Sequence, residues 1–127
     1  MSDRVGRMIS LEIGVSDVAF GAEIAAMLTA ASSPSPGATF TIADGVVLTY
    51  LRSFEITQPS SASDPAVWVG FSIRYDENAS ADPIVEWLMK SLEATASHIT
   101  LKVDTSRVPV EKEALTKLVR SKVEESV

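Results

Sequence analysis

His98 is the only histidine in the chain, so any acid–base relay would have to run through it alone. Glu12 and Asp104 are the carboxylates that strand pairing could bring beside it, and Arg74 would offer a cation to a bound anion. A neighbouring carboxylate is common decoration, and a histidine at the start of a strand is more often structural than catalytic. Serines crowd two stretches (Ser32, Ser33, Ser35 and Ser60, Ser61, Ser63), but no Gly-x-Ser-x-Gly elbow raises one as a nucleophile. No GxxxxGK or GxGxxG spacing cradles a phosphate, and Arg107 and Asn78 lack the Gly-rich loop an acylphosphatase-type site would need. The acidic turn from Asp76 to Asp82 sets oxygen ligands at alternate positions, as the first half of a calcium loop does. Yet Ala81 stands where a glycine should bend the chain and Trp87 where a bidentate glutamate belongs, so it reads as a strand-to-helix turn. With no cysteine there is no thiolate nucleophile and no sulfur-ligated zinc. These residues assign no catalytic group, no metal and no cofactor.

A more informative pattern is one of cations and aromatics at alternate positions of strand-like runs. Ile9, Leu11, Ile13 and Val15 alternate with Met8, Ser10, Glu12 and Gly14; Val67, Val69, Phe71, Ile73 and Tyr75 alternate with Trp68, Gly70, Ser72 and Arg74. Ile99, Leu101 and Val103 alternate with His98, Thr100 and Lys102. Between them Asp44-Gly45 is a hairpin turn pair joining Ala38–Ala43 to a run from Val46 to about residue 56. In the register that turn suggests, Phe40 and Ile42 share a face with Val47 and Leu51, and the opposite face carries Thr39, Thr41, Leu48, Tyr50 and Arg52.

Three stretches carry helical periodicity. After Ser16-Asp17, Phe20, Ile24, Met27, Leu28 and Ala31 share a face, with small residues around the rest. Asp82-Pro83 reads as a cap and first turn, and Ile84, Val85, Leu88, Met89, Leu92 and Ala96 follow on one side. The last helix, from about Val110 to Glu125, has a narrow stripe of Ala114, Leu115, Leu118, Val119 and Val123. Such a helix either edges the core or docks on a partner. Breaker clusters at Ser32–Gly37, Thr57–Pro65 and Thr105–Pro109 separate the elements.

The order is thus βαβββαβα over residues 1–127, expected to form a single α+β domain. It resembles the ferredoxin-like βαββαβ arrangement with an elaborated hairpin and an extra C-terminal helix. That resemblance implies a two-layer sandwich, with a mostly antiparallel sheet of about four or five strands and helices on one face. The open face would then present Tyr50, Arg52, Trp68, Arg74 and His98, an enrichment in aromatics and arginine typical of interface centres. Trp87, at the edge of its helix, is either a packing residue or a further anchor.

Composition sets the remaining limits. An apolar fraction of 46% and a charged fraction of 22% are those of a globular protein. The formal charge of −6 argues against non-specific nucleic-acid binding, and no apolar stretch approaches a membrane span, so a cytoplasmic location is the default expectation. Two functions are expected on these grounds. One is a non-enzymatic interaction or regulatory module that self-associates or docks on a larger protein through the open face. The other is a small-ligand-binding or catalytic domain using the same face with His98.

Overall fold

The computed structural model describes residues 7–32, 34–55, 65–76 and 80–124. Its elements are β1 (Arg7–Val15), α1 (Val18–Thr29), β2 (Thr39–Ala43), β3 (Val46–Glu55), β4 (Val67–Tyr75) and α2 (Ala81–Leu92). A 3-10 segment (Glu93–His98), β5 (Thr100–Val103), β6 (Ser106–Val108) and α3 (Lys112–Glu124) complete the series. The strands form one antiparallel sheet in the order β2-β3-β4-β1-β5-β6. The class is α+β, with six strands where the sequence suggested four or five. Most of the loop expected over Thr57–Pro65, with its serines, and the middle of the acidic turn after Asp76 lie outside the described residues.

The strand that the sequence did not reveal is β6, inside the stretch read as a breaker. It exists because Asp104 and Thr105 both take positive φ, 50° and 72°, and close a two-residue hairpin between Val103 and Ser106. Asp104 is tied in place: its N–H donates to Ser10 O at 2.9 Å and its carboxylate accepts from Ser10 N–H at 2.8 Å. Thr105 has no such tie, and the left-handed conformation is costly for a β-branched residue. Thr105→Gly is therefore expected to stabilise the fold by about 1 kcal/mol in urea unfolding. A loss of stability would mean that the threonine side chain holds the hairpin.

All three helices lie against one side of the sheet. On α1, a Cβ at Gly21 would stand 3.3 Å from Val69 and 3.5 Å from Val15, so the helix backbone rests directly on β1 and β4. On α2, Trp87 stacks on Phe40 of β2, with centroids 6.5 Å apart. On α3, Lys122 O accepts a hydrogen bond from the Tyr75 hydroxyl at 3.2 Å, and Leu115, Val119 and Val123 are buried in the common core. The last helix thus joins the same side as the others. The sheet residues beneath them are the apolar set expected for β1, β4 and β5, from Ile9 to Val103.

Local signals place the helix ends with small differences from expectation. Asp17 caps α1, accepting from Phe20 N–H at 2.8 Å. The helix stops at Thr29, because Ala30 turns left-handed (φ 55°) and both Ala30 and Ala31 donate to Ala26 O. At α2 the cap is Ser80 rather than Asp82, which sits in the first turn and faces Arg120 of α3 at 3.5 Å. A carboxylate there complements the helix dipole without being the cap. Among the described residues, no helix is long and apolar enough to cross a membrane.

Register in the hairpin differs from the expected one. Phe40 pairs with Leu48 and Thr41 with Val47, and a shift between Thr41 and Ala43 leaves Ile42 unpaired. Leu48 and Tyr50 therefore face the helices, while Val47 and Thr49 face away. A second bulge follows: Tyr50 pairs with Phe71 and Arg52 with Gly70, so Leu51 is an extra residue. The bulge turns Arg52 to the helix-free side while Tyr50 stays on the other, so two residues expected on one face are separated.

Candidate interaction face

The helix-free side is built in transverse rows by strand register. One row runs Arg107 (β6), Lys102 (β5), Glu12 (β1), Gly70 (β4), Arg52 (β3). The next runs Thr100, Gly14, Trp68, Phe54, and on the opposite flank lie Ser10, Ser72 and Thr49. Beyond these, Met8, Arg74 and Val47 form a further row. Gly14, Gly70, Ser10 and Ser72 contribute little side-chain bulk, and Glu12 stands in the central row between Lys102 and Gly70. Arg52, Arg74 and Arg107 are exposed, and Lys102 and Glu12 half-buried. No ion pair among the described residues engages any of these four cations.

Trp68 belongs to this face but is not available on it. Only 5% of it is exposed. Lys102 Nζ lies 4.6 Å from its ring centroid, and its ring edge approaches Gly14 beside Pro65, both closer than van der Waals contact to a Cβ built there. The indole is laid flat across β1 instead of standing into solvent. Phe54 in the same row is half-buried under the Arg52 guanidinium, 5.2 Å from its centroid. Both aromatics are therefore roofed by cations of the neighbouring row, a desolvating and mutually favourable arrangement.

Tyr50, expected on the open face, lies on the other. It is 8% exposed, on the helix side, tilted against Phe71 with centroids 5.6 Å apart and sharing a 2.9 Å hydrogen bond with Ser53. The run Val46-Val47-Leu48-Thr49-Tyr50-Leu51 is apolar at both parities, so alternation alone could not tell its faces apart. Trp87 is half-buried and stacks on Phe40, between α2 and β2.

His98 is exposed at the end of the 3-10 segment, before β5 begins at Thr100, so it does not take a place in the strand alternation. Glu12 pairs with Lys102, two positions further along, and Arg74 lies on β4 among the outer residues. Asp104 commits its carboxylate to the Ser10 amide. Among the described residues, no three acidic or histidine side chains stand close enough to hold a metal ion. A groove of about 550 Å³ opens between the 3-10 segment and the β6–α3 connection, lined by Ser97, Ile99, Leu101, Arg107, Val110 and Glu111 among others. His98, Glu12 and Arg74 are not among its walls, so that polar set does not line this groove.

Two contributors to the face were not singled out from sequence as binding residues. Arg107 sits in a strand of three residues, too short for alternation to register, and joins the row only through its pairing with Lys102. Phe54 reaches its row only because of the bulge at Leu51. Comparison with known protein families, curated proteins and solved structures finds no match.

Proposed function

We propose that this chain is a non-enzymatic protein-interaction module that docks on a larger protein, or on a second copy, through the helix-free face of its sheet. The observation that carries it is the placement of α1, α2 and α3 on one side, so that among the described residues no helix covers the other face of the sheet. Its contacts would come from Arg52, Arg74, Lys102 and Arg107, with Trp68 and Phe54 stiffening the surface from beneath, Tyr50 belonging to the core and Trp87 packed against its edge. We read β1–α1–β3–β4–α2–β5 as a ferredoxin-like βαββαβ unit, with β2 and β6 added at the two sheet ends. The support is that β1 lies between β4 and β5, and β4 between β1 and β3.

The absence of cysteine permits a direct test. A single thiol at exposed Ser10 (Ser10→Cys) on the face, or at exposed Ala22 on α1 (Ala22→Cys), can be capped with a bulky maleimide. Peptides selected from a random library against the unmodified chain should lose binding when Ser10→Cys is capped and keep it when Ala22→Cys is capped. The reverse pattern, measured by fluorescence anisotropy, would move the docking surface to the helices.

A further inference from the structure

The helix-free face is cationic on an acidic protein. Among the described residues of its strand rows, four cations (Arg52, Arg74, Lys102, Arg107) accompany one carboxylate, Glu12, while the whole chain carries −6. Of the basic residues between Glu12 and Asp104, only Lys90 lies elsewhere. Of the other described acidic residues of the same span, Asp17, Asp44, Asp76 and Asp104 lie at turns or element ends, Glu23, Asp82, Glu86 and Glu93 lie in helical segments, and Glu55 ends β3 opposite Val67, on the helix side. Such segregation produces a local potential opposite in sign to that of the molecule.

We propose that the occupant of this face is an extended, carboxylate-rich segment of a different protein, laid across the strands along the row from Arg107 to Arg52. This deepens the interaction-module proposal and rests on it. Four strand spacings of about 4.8 Å put the ends of that row about 19 Å apart, the span of about six extended residues. Guanidinium groups at both ends offer planar, bidentate recognition of carboxylates. In the middle Gly70 has no side chain, which lets a backbone come close, and Glu12 disfavours a carboxylate there. The preferred segment is thus acidic at its ends and neutral at its centre.

Two other occupants fit less well. A second copy meeting this face by two-fold symmetry would press the same cations against one another. Single-stranded nucleic acid needs free aromatic platforms for its bases, and Trp68 and Phe54 are already covered by Lys102 and Arg52.

The test uses three labelled probes of equal length with the full chain: oligoglutamate, oligolysine and oligothymidylate. Oligoglutamate should bind best, weaken with added salt, and weaken about tenfold for the double variant Arg52→Glu/Arg107→Glu, with far-UV circular dichroism unchanged. Glu12→Gln should tighten oligoglutamate about two- to threefold, a gain that a damaged fold cannot imitate. The proposal is overturned if oligoglutamate does not bind, if the double variant binds it as well as the parent, or if oligothymidylate binds at least as tightly. Dilution-dependent mass that disappears in the double variant would also overturn it, in favour of a second copy. If the charge prediction fails while the Ser10 cap still blocks library peptides, only the partner's chemistry is wrong. If the cap also has no effect, the interaction face itself falls.

Discussion

Gly14→Ala is expected to destabilise the fold by about 1–3 kcal/mol, whereas Gly70→Ala should leave stability unchanged or raise it by up to about 1 kcal/mol. Both glycines lie in central strands and point to the helix-free side, so strand propensity alone would treat them alike. Their surroundings differ. A Cβ at Gly14 would stand 2.5 Å from Pro65 Cγ, 2.7 Å from Pro65 Cβ and 3.0 Å from the edge of the Trp68 ring. A Cβ at Gly70 would meet only the Arg52 carbonyl oxygen, at 3.5 Å. The first substitution must push a proline and an indole off the sheet; the second adds a methyl group in ordinary contact. Urea unfolding monitored by circular dichroism reads both. Equal effects at the two positions would mean that Trp68 does not lie over β1 as described.

Trp68→Ala is expected to cost about 3 kcal/mol, the scale of a large aromatic removed from a packed site. The residue is nearly inaccessible although its side of the sheet has no helix, because Pro65 and Lys102 close around it. In a Trp87→Phe background its emission should be blue-shifted and poorly quenched by acrylamide. A stability loss below about 1 kcal/mol, with ready quenching, would return Trp68 to the role of an exposed docking anchor. The two substitutions are not independent, since the ring and Gly14 touch, so their effects should combine with less than the sum.

Much of the architecture was legible in the chain because strong periodicity and local chemistry agree there. In β1, β4 and β5 one parity is apolar, and burying that parity is the only way to shelter it, so the faces of Ile9–Val15, Val67–Tyr75 and Thr100–Val103 could be read directly. The same holds for the stripes of α2 and α3 and for the Asp17 cap. The sequence misled where both parities of a run are apolar, placing Leu48 and Tyr50 on the open face, and it gave no strand where a turn has no glycine. In Val46–Leu51 either face could serve as core, and the two bulges that decide the matter arise from pairing with β2 and β4. The Asp104-Thr105 hairpin lacks the usual glycine, and its hold on Ser10 is a contact across the sheet rather than a local propensity.

The residues of the face divide in the same way. Arg74 and Lys102 reach the open side by alternation in β4 and β5, which is a property of the chain itself, whereas Arg52 reaches it only through the bulge at Leu51. That they form one rim with Arg107, that Trp68 lies flat under a lysine, and that Tyr50 turns inward all depend on which strands become neighbours and in what register. The amino-acid sequence thus determined an α+β fold with one apolar sheet face and its helices. Tertiary pairing alone decided what the other face presents, because side chains distant in sequence acquire a shared charge and a shared cover only once the strands lie side by side.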